Sequence, residues 1–206
     1  MTNTASAVSP RRLGMFTALL LLSTALITGL LPLLAPTPAH AAAPSHKRVF
    51  IVGDSLTVGS APYLKSSLRK KHYSVAVDAR VGRATPEGIS HLKGSNAKRA
   101  GVWVVALGTN DGARPKTTKK YVTQVMKKAG KKRTVIWVNV VRPGGYGKVN
   151  TALRQSTHKY KNLVVVDWSK VVKSRKSVLR SDRVHLTVAG YKLRAKVITQ
   201  SVVKAG

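Results

Sequence analysis

Four short apolar runs limit what this chain can become. Arg48-Val-Phe-Ile-Val52, Val102 to Leu107, Val135 to Val141 and Leu163 to Val166 are apolar with almost no alternation. A strand with one face in water alternates apolar and polar residues, whereas a strand covered on both faces does not. Ser74 to Ala79 adds a fifth β-rich stretch. Between these runs the apolar spacing becomes helical: Ala61, Leu64 and Leu68, then Val122, Val125, Met126 and Ala129 with Gly130 to end the stripe, then Val149 and Leu153. Thr85-Pro86-Glu87 reads as a short helix start with Thr85 as cap. Pro143-Gly144-Gly145 breaks the chain, and a final helix follows Thr187, with Leu193, Val197 and Val202 on its apolar side. Buried strands alternating with amphipathic helices imply an α/β fold, a flavodoxin-like three-layer α/β/α sandwich around a five-stranded parallel sheet. In such sheets a site forms beyond the carboxyl ends of the strands.

The first stretch stands apart from this pattern. Arg11 and Arg12 precede an uncharged run from Met15 to Ala35, and Ala39-His40-Ala41-Ala42-Ala43 offers small residues at a signal-peptidase spacing. Residues 1–41 are therefore read as a signal peptide; the alternative is an uncleaved membrane anchor, since the run is long enough to span a bilayer. Ser-Pro-Arg-Arg-Leu-Gly is a poor match to a twin-arginine signal. Residues 42–47 read as a short tether and 48–206 as one domain. Cleavage after Ala41 leaves 165 of 206 residues, enough for a single core. The chain has no cysteine, so that core holds without disulfides. Removing Arg11 and Arg12 lowers the net charge from +31 to +29. Such a field concentrates anionic partners. Outside the cell these would be anionic wall polymers or lipid headgroups. With Phe only at 16 and 50, and no zinc-finger spacing, nucleic acid is not the expected partner.

Only six acidic residues occur: Asp54, Asp78, Glu87, Asp111, Asp167 and Asp182. Three lie in Gly53-Asp54-Ser55-Leu56, Gly108-Thr109-Asn110-Asp111 and Asp182-Arg183-Val184-His185. These strings hold the parts for nucleophilic acyl transfer. Ser55 follows a strand and opens a helix, where backbone N–H groups and the helix dipole favour negative charge; it also suits a plain N-cap. Asp182 and His185, three apart on a turn, let a carboxylate hold one imidazole nitrogen while the other faces a serine; they also suit a surface pair, with Thr187 as cap. The Asn110 amide can donate to an oxyanion, or shape a turn. Gly82 can offer a backbone N–H to the same hole, or mark a turn. Asp54 and Asp111 are expected to organise caps or loops. His46, His72, His91 and His158 read as surface residues, and no pair has metal-ligand spacing. No cofactor is expected.

Ser, Gly, Asn and Asp-x-x-His in this order resemble the SGNH hydrolases, the GDSL esterase family, over about residues 48–203. The resemblance implies the SGNH hydrolase fold, with Ser55 as nucleophile, His185 as base and Asp182 as its support. It implies an oxyanion hole from the Ser55 N–H, the Gly82 N–H and the Asn110 amide. A narrower likeness, to the extracytoplasmic domain of peptidoglycan O-acetyltransferases, rests on Val77 to Arg83, Val138 to Pro143, Val149-Asn150 and Val166-Asp167-Trp168. It implies O-acyl groups on wall carbohydrate as substrate, cleaved or transferred. From the leader a secreted protein is expected, held at the membrane by the N-terminal segment only if that segment is uncleaved, and a monomer is expected. Trp168, Arg142 and Tyr146 either line an acceptor groove or serve as core and loop surface. The rival readings are a lipase or small-ester hydrolase, and a basic wall-binding module with little activity.

Overall fold

The computed structural model describes residues 43–205. The expected leader, residues 1–41, lies outside the described residues, as do Ala42 and Gly206. Along the chain run β1 (Ser45–Gly53), α1 (Ser55–Arg69), β2 (Ser74–Ala79), α2 (Thr85–His91), α3 (Ser95–Arg99) and β3 (Ala100–Ala106). Then come α4 (Pro115–Ala129), β4 (Thr134–Val138), α5 (Tyr146–Lys159), β5 (Leu163–Val166), α6 (Trp168–Lys173), a 3-10 turn (Lys176–Val178) and α7 (Val188–Ala205).

The five strands form one parallel sheet in the order β2-β1-β3-β4-β5, the flavodoxin-like order expected. Alternation along each strand sends side chains into two cores. Val49, Ile51, Val102, Val104, Ile136 and Val138 join Leu64 and Leu68 of α1 and Ile198 and Val202 of α7 on one face. Phe50, Val52, Trp103, Val105, Val135 and Trp137 join Val122 and Val125 of α4 and Leu153 of α5 on the other. Each of these fully buried Val or Ile side chains contributes about 1.5–3 kcal/mol relative to exposure, so burial on both faces explains the missing alternation. The strand order reverses between β1 and β3, whose ends Gly53 and Ala106 pair. The chain leaves the sheet there at Ser55 and at Gly108, so both strings lie at the switch point. Among the described residues no helix is long and apolar enough to cross a membrane.

Three boundaries differ from expectation. β1 starts at Ser45 and takes in half of the expected tether. Gly101, having no side chain, lets the backbone of Ser45 and His46 press against β3, and the register shifts between Ser45 and Val49 to allow it. β4 stops at Val138 instead of Val141, because the Asn150 side chain takes the place of a neighbouring strand. Its Oδ1 accepts from the Val140 N–H at 3.0 Å and its Nδ2 donates to the Val140 carbonyl at 2.7 Å. Thr85 is the first residue of α2 and not its cap; the Asp111 carboxylate reaches across to accept the Thr85 N–H at 2.7 Å. Thr187 does cap α7, accepting from the Gly190 N–H at 3.2 Å.

Candidate active site

The β1–α1 turn is tight because Gly53 has no Cβ; one there would collide with the Thr57 side chain. Asp54, buried, caps α1 by accepting the Leu56 N–H at 3.0 Å. That releases Ser55 from capping and makes it the first helical residue, where its N–H is one of the donors without an intrahelical partner. Burial pushes the Asp54 carboxyl up, and the charge of the fully buried Arg194 on α7 partly offsets this.

The opposing loop is a small hairpin. The Arg180 N–H donates to the His185 carbonyl at 2.8 Å, Leu179 bridges Leu186 antiparallel, and Leu186 is fully buried. Inside it Asp182 folds back on its own turn. Its Oδ1 accepts from the N–H groups of Val184 and His185, both at 2.9 Å, and its Oδ2 contacts His185 Nδ1 at 2.7 Å. The Val184 N–H, then the His185 ring and N–H, hold this carboxyl down at about 2. An ionised carboxylate only accepts, so the ring proton sits on Nδ1 and Nε2 keeps its lone pair. That Nε2 lies 3.1 Å from Ser55 Oγ. Residues 130 positions apart thus form one chain, from carboxylate through imidazole to hydroxyl.

The donors expected for an oxyanion hole follow three adjacent strands. Ser55 follows β1, Gly82 follows β2 and Asn110 follows β3. Gly82 is exposed, at φ +73° in a turn that a side chain would strain. Asn110 Nδ2 donates to the Arg83 carbonyl at 3.1 Å. One amide hydrogen therefore ties Asn110 to the residue after Gly82, and the second is left to point elsewhere. Among the described residues Gly82 makes no hydrogen bond to Ser55, Asn110, Asp182 or His185.

Arg83 is the anchor that sequence reasoning missed. Its buried guanidinium donates to the Asp78 carbonyl at 2.8 Å, pairs with Asp78 Oδ1 at 2.8 Å and meets Glu87 Oε1 at 3.3 Å. Glu87 also pairs with Arg80. The remaining Asp78 oxygen holds His91 Nδ1 at 2.7 Å, so His91 is a paired residue instead of a free surface one. Burial opposes ionisation of Asp78, but Arg83 and His91 together outweigh it and lower its pKa. The clue was available: with six carboxylates in the whole chain, two bracket Arg83. No comparable signal marked Arg194, whose burial follows from how α7 packs on α1.

Trp168 is buried in the core and cannot line a groove. Tyr146 is buried too, against the expectation of loop surface. Its hydroxyl donates to the Thr109 carbonyl at 3.2 Å, and the Arg142 guanidinium does so at 2.9 Å, which pins the Asn110 loop. Both residues also line a cavity of about 740 Å³ beyond β4 and β5. Asn139, Asp167 and Ser169 are bonded to one another beneath it, with Asn139 Nδ2 on Asp167 Oδ1 at 2.7 Å. Among the described residues no three His, Asp or Glu side chains gather as metal ligands.

No family model matches the chain. It is 30% identical over 159 residues to the O-acetyltransferase OatA of Staphylococcus aureus, a match covering 75% of this chain. The chain spans only 24% of that relative's length. Among solved structures it is similar to the C-terminal catalytic domain of Streptococcus pneumoniae peptidoglycan O-acetyltransferase A, at TM-score 0.66 and 23% identity over 79% of this chain and 94% of that one. It is similar to an acetyl xylan esterase from Geobacillus stearothermophilus, at TM-score 0.63 and 15% identity over 78% and 96%. A member of the lipolytic G-D-S-L family from Veillonella parvula gives TM-score 0.61 and 18% identity over 74% and 96%. These structural likenesses are likenesses of fold.

Proposed function

We propose that this chain, which has an SGNH-type hydrolase fold related to the OatA catalytic domain and to other G-D-S-L esterases and lipases, is an exported serine enzyme that cleaves or transfers O-acyl groups. The observation that carries this reading is the hydrogen-bonded series Ser55 Oγ–His185 Nε2–Asp182.

In the first step His185 Nε2 takes the Ser55 proton while Oγ attacks the ester carbonyl. Asp182 keeps the Nδ1 proton in place and stabilises the imidazolium. The carbonyl oxygen gains negative charge, which the Ser55 N–H, the Gly82 N–H and the second hydrogen of the Asn110 amide receive. His185 then protonates the leaving alcohol, and an acyl group remains on Ser55. Water, or an acceptor hydroxyl, enters by the same path in reverse: His185 removes its proton, it attacks the acyl carbonyl, and Ser55 recovers its hydrogen.

The substrate we propose is acetyl on cell-wall carbohydrate. The likeness to staphylococcal and pneumococcal O-acetyltransferases supports it, as does the +31 charge, which draws the chain toward anionic wall polymers. The test is hydrolysis of p-nitrophenyl acetate and acetate release from O-acetylated peptidoglycan by the wild type, Ser55→Ala and His185→Ala. Circular dichroism controls for folding. Turnover by the wild type and loss of about 10³-fold or more in both variants is expected. Equal rates in all three proteins would sink the reading and leave surface lysine chemistry as the source.

A further inference from the structure

The 740 Å³ cavity beside the site is lined by Arg142, Arg154, Lys170, Lys173, Arg180 and Arg183, among others. Its single carboxylate, Asp167, is already engaged by Asn139, Ser169 and the Lys170 N–H, with Arg154 at 3.7 Å. Among the described residues Arg180 and Arg183 have no ion pair at all. A chain rich in lysine places cations around many hollows, but not around all of them. The cavity of about 520 Å³ beside Asp78 and His91 is lined by neither Lys nor Arg. A smaller hollow of about 310 Å³ is lined by Lys93, Lys98, Lys128 and Arg133, so cations alone do not single this cavity out; its place beside the Asp182 turn and its unpaired guanidinium groups do.

A second observation concerns Arg183. Its φ is +57°, in the left-handed region where a side chain is strained and glycine is at ease. It stands between Asp182 and His185 within the tightest part of the hairpin. Glycine would serve that turn better, yet the position carries a long guanidinium that reaches the cavity wall. The cavity is also lined by residues that adjoin the site. Arg180 and Arg183 flank Asp182, and Arg142 holds the carbonyl of Thr109, next to Asn110.

We infer that this cavity is an anion subsite: it receives a carboxylate or phosphodiester of the ester-bearing glycan and so directs anionic polymers to Ser55. The inference rests on the esterase reading for its purpose. Guanidinium forks pair either oxyanion in two-point fashion, which lysines alone do less well. A cavity of this size takes a sugar unit with its charged substituent.

The test measures binding on the full chain carrying Ser55→Ala, so it does not depend on turnover. Calorimetry at fixed ionic strength compares hexagalacturonate, a glycerol-phosphate hexamer and neutral xylohexaose. At least one anionic oligomer is expected to bind tenfold or more tightly than xylohexaose, and which one identifies the anion. Adding Arg180→Gln with Arg183→Gly is expected to weaken that binding at least tenfold. Glycine at 183 keeps the turn, so the melting temperature should hold or rise. Adding Lys127→Gln with Lys128→Gln removes the same charge from exposed positions on α4 and should change affinity less than twofold. Equal weakening by the two pairs would overturn the subsite in favour of the general field, and so would equal affinity for anionic and neutral oligomers. Failure of the wild type on p-nitrophenyl acetate would instead overturn the esterase reading.

Discussion

Among the described residues two aspartate–histidine pairs have the same length. Asp182 and His185 meet at 2.7 Å, and so do Asp78 and His91. What surrounds each pair separates their roles. The Asp182 carboxylate spends its first oxygen on two N–H groups of its own turn and its second on the imidazole, whose far nitrogen reaches Ser55. Asp78 spends one oxygen on the buried guanidinium of Arg83, with His91 on the other. The first pair ends on a serine hydroxyl, the arrangement that a proton transfer needs. The second is a clamp, and its load is the turn that carries Gly82 and receives the Asn110 amide on the Arg83 carbonyl. An aspartate beside a histidine is therefore no catalytic sign by itself; the third group decides.

The sharpest break in this comparison is histidine replacement. His185→Ala is expected to cut kcat/KM for ester hydrolysis by about 10³-fold or more, as loss of a triad base does. His91→Ala should leave it within about threefold. Comparable losses in p-nitrophenyl acetate assays would erase the distinction between the pairs. Next come the aspartates. Asp182→Asn can still accept the two backbone N–H groups but no longer favours the Nδ1 proton, and about a 10³-fold fall in kcat is expected. Asp78→Asn should cost about tenfold or less, through a looser Gly82 turn. It should also destabilise the fold by about 1–3 kcal/mol, because the buried Arg83 loses its charged acceptor. Urea unfolding beside steady-state kinetics would separate the two effects. Asn110→Ala should lower kcat by about 10²-fold with little change in KM, the pattern of an oxyanion donor. A rise in KM alone would make Asn110 a binding residue.

The smallest effect is in acid. A carboxylate held below its ordinary value adds stability above the unfolded value and loses it as pH falls through the folded one. For Asp182 that window runs from the ordinary 3.8 down to about 2. The melting-temperature difference between wild type and Asp182→Asn should be constant above about pH 5 and shrink as the pH falls through that window. A difference that vanished already at pH 6 would mean the turn is held by something other than its carboxylate. Asp78 shifts in the same direction, from its hydrogen bonds with Arg83 and His91 after burial is overcome.

Much of this was open to sequence reading. Continuous apolar runs declared a sheet buried on both faces, and the helical stripes between them set its layers. Local spacing also disclosed the Asp182–His185 turn, since three residues suffice to close it. The ends of β1 and β4 were misjudged because each depends on a distant partner. Gly101 lets β1 begin early, and Asn150 stops β4. Thr85 was misread as a cap because the true acceptor, Asp111, lies 26 residues away.

The sequence by itself determined the architecture, the parts of the site and the scarcity of negative charge, because periodicity and composition are properties of neighbours along the chain. Tertiary structure alone decided that His91 pairs with Asp78, that Arg83 is buried between Asp78 and Glu87, and that Arg194 lies under Asp54. It also decided that Arg142, Arg180 and Arg183 line one hollow beyond β4 and β5. The reason is geometric. Each of these facts is a distance between residues brought together by crossing the sheet, and no local pattern records where a crossover lands.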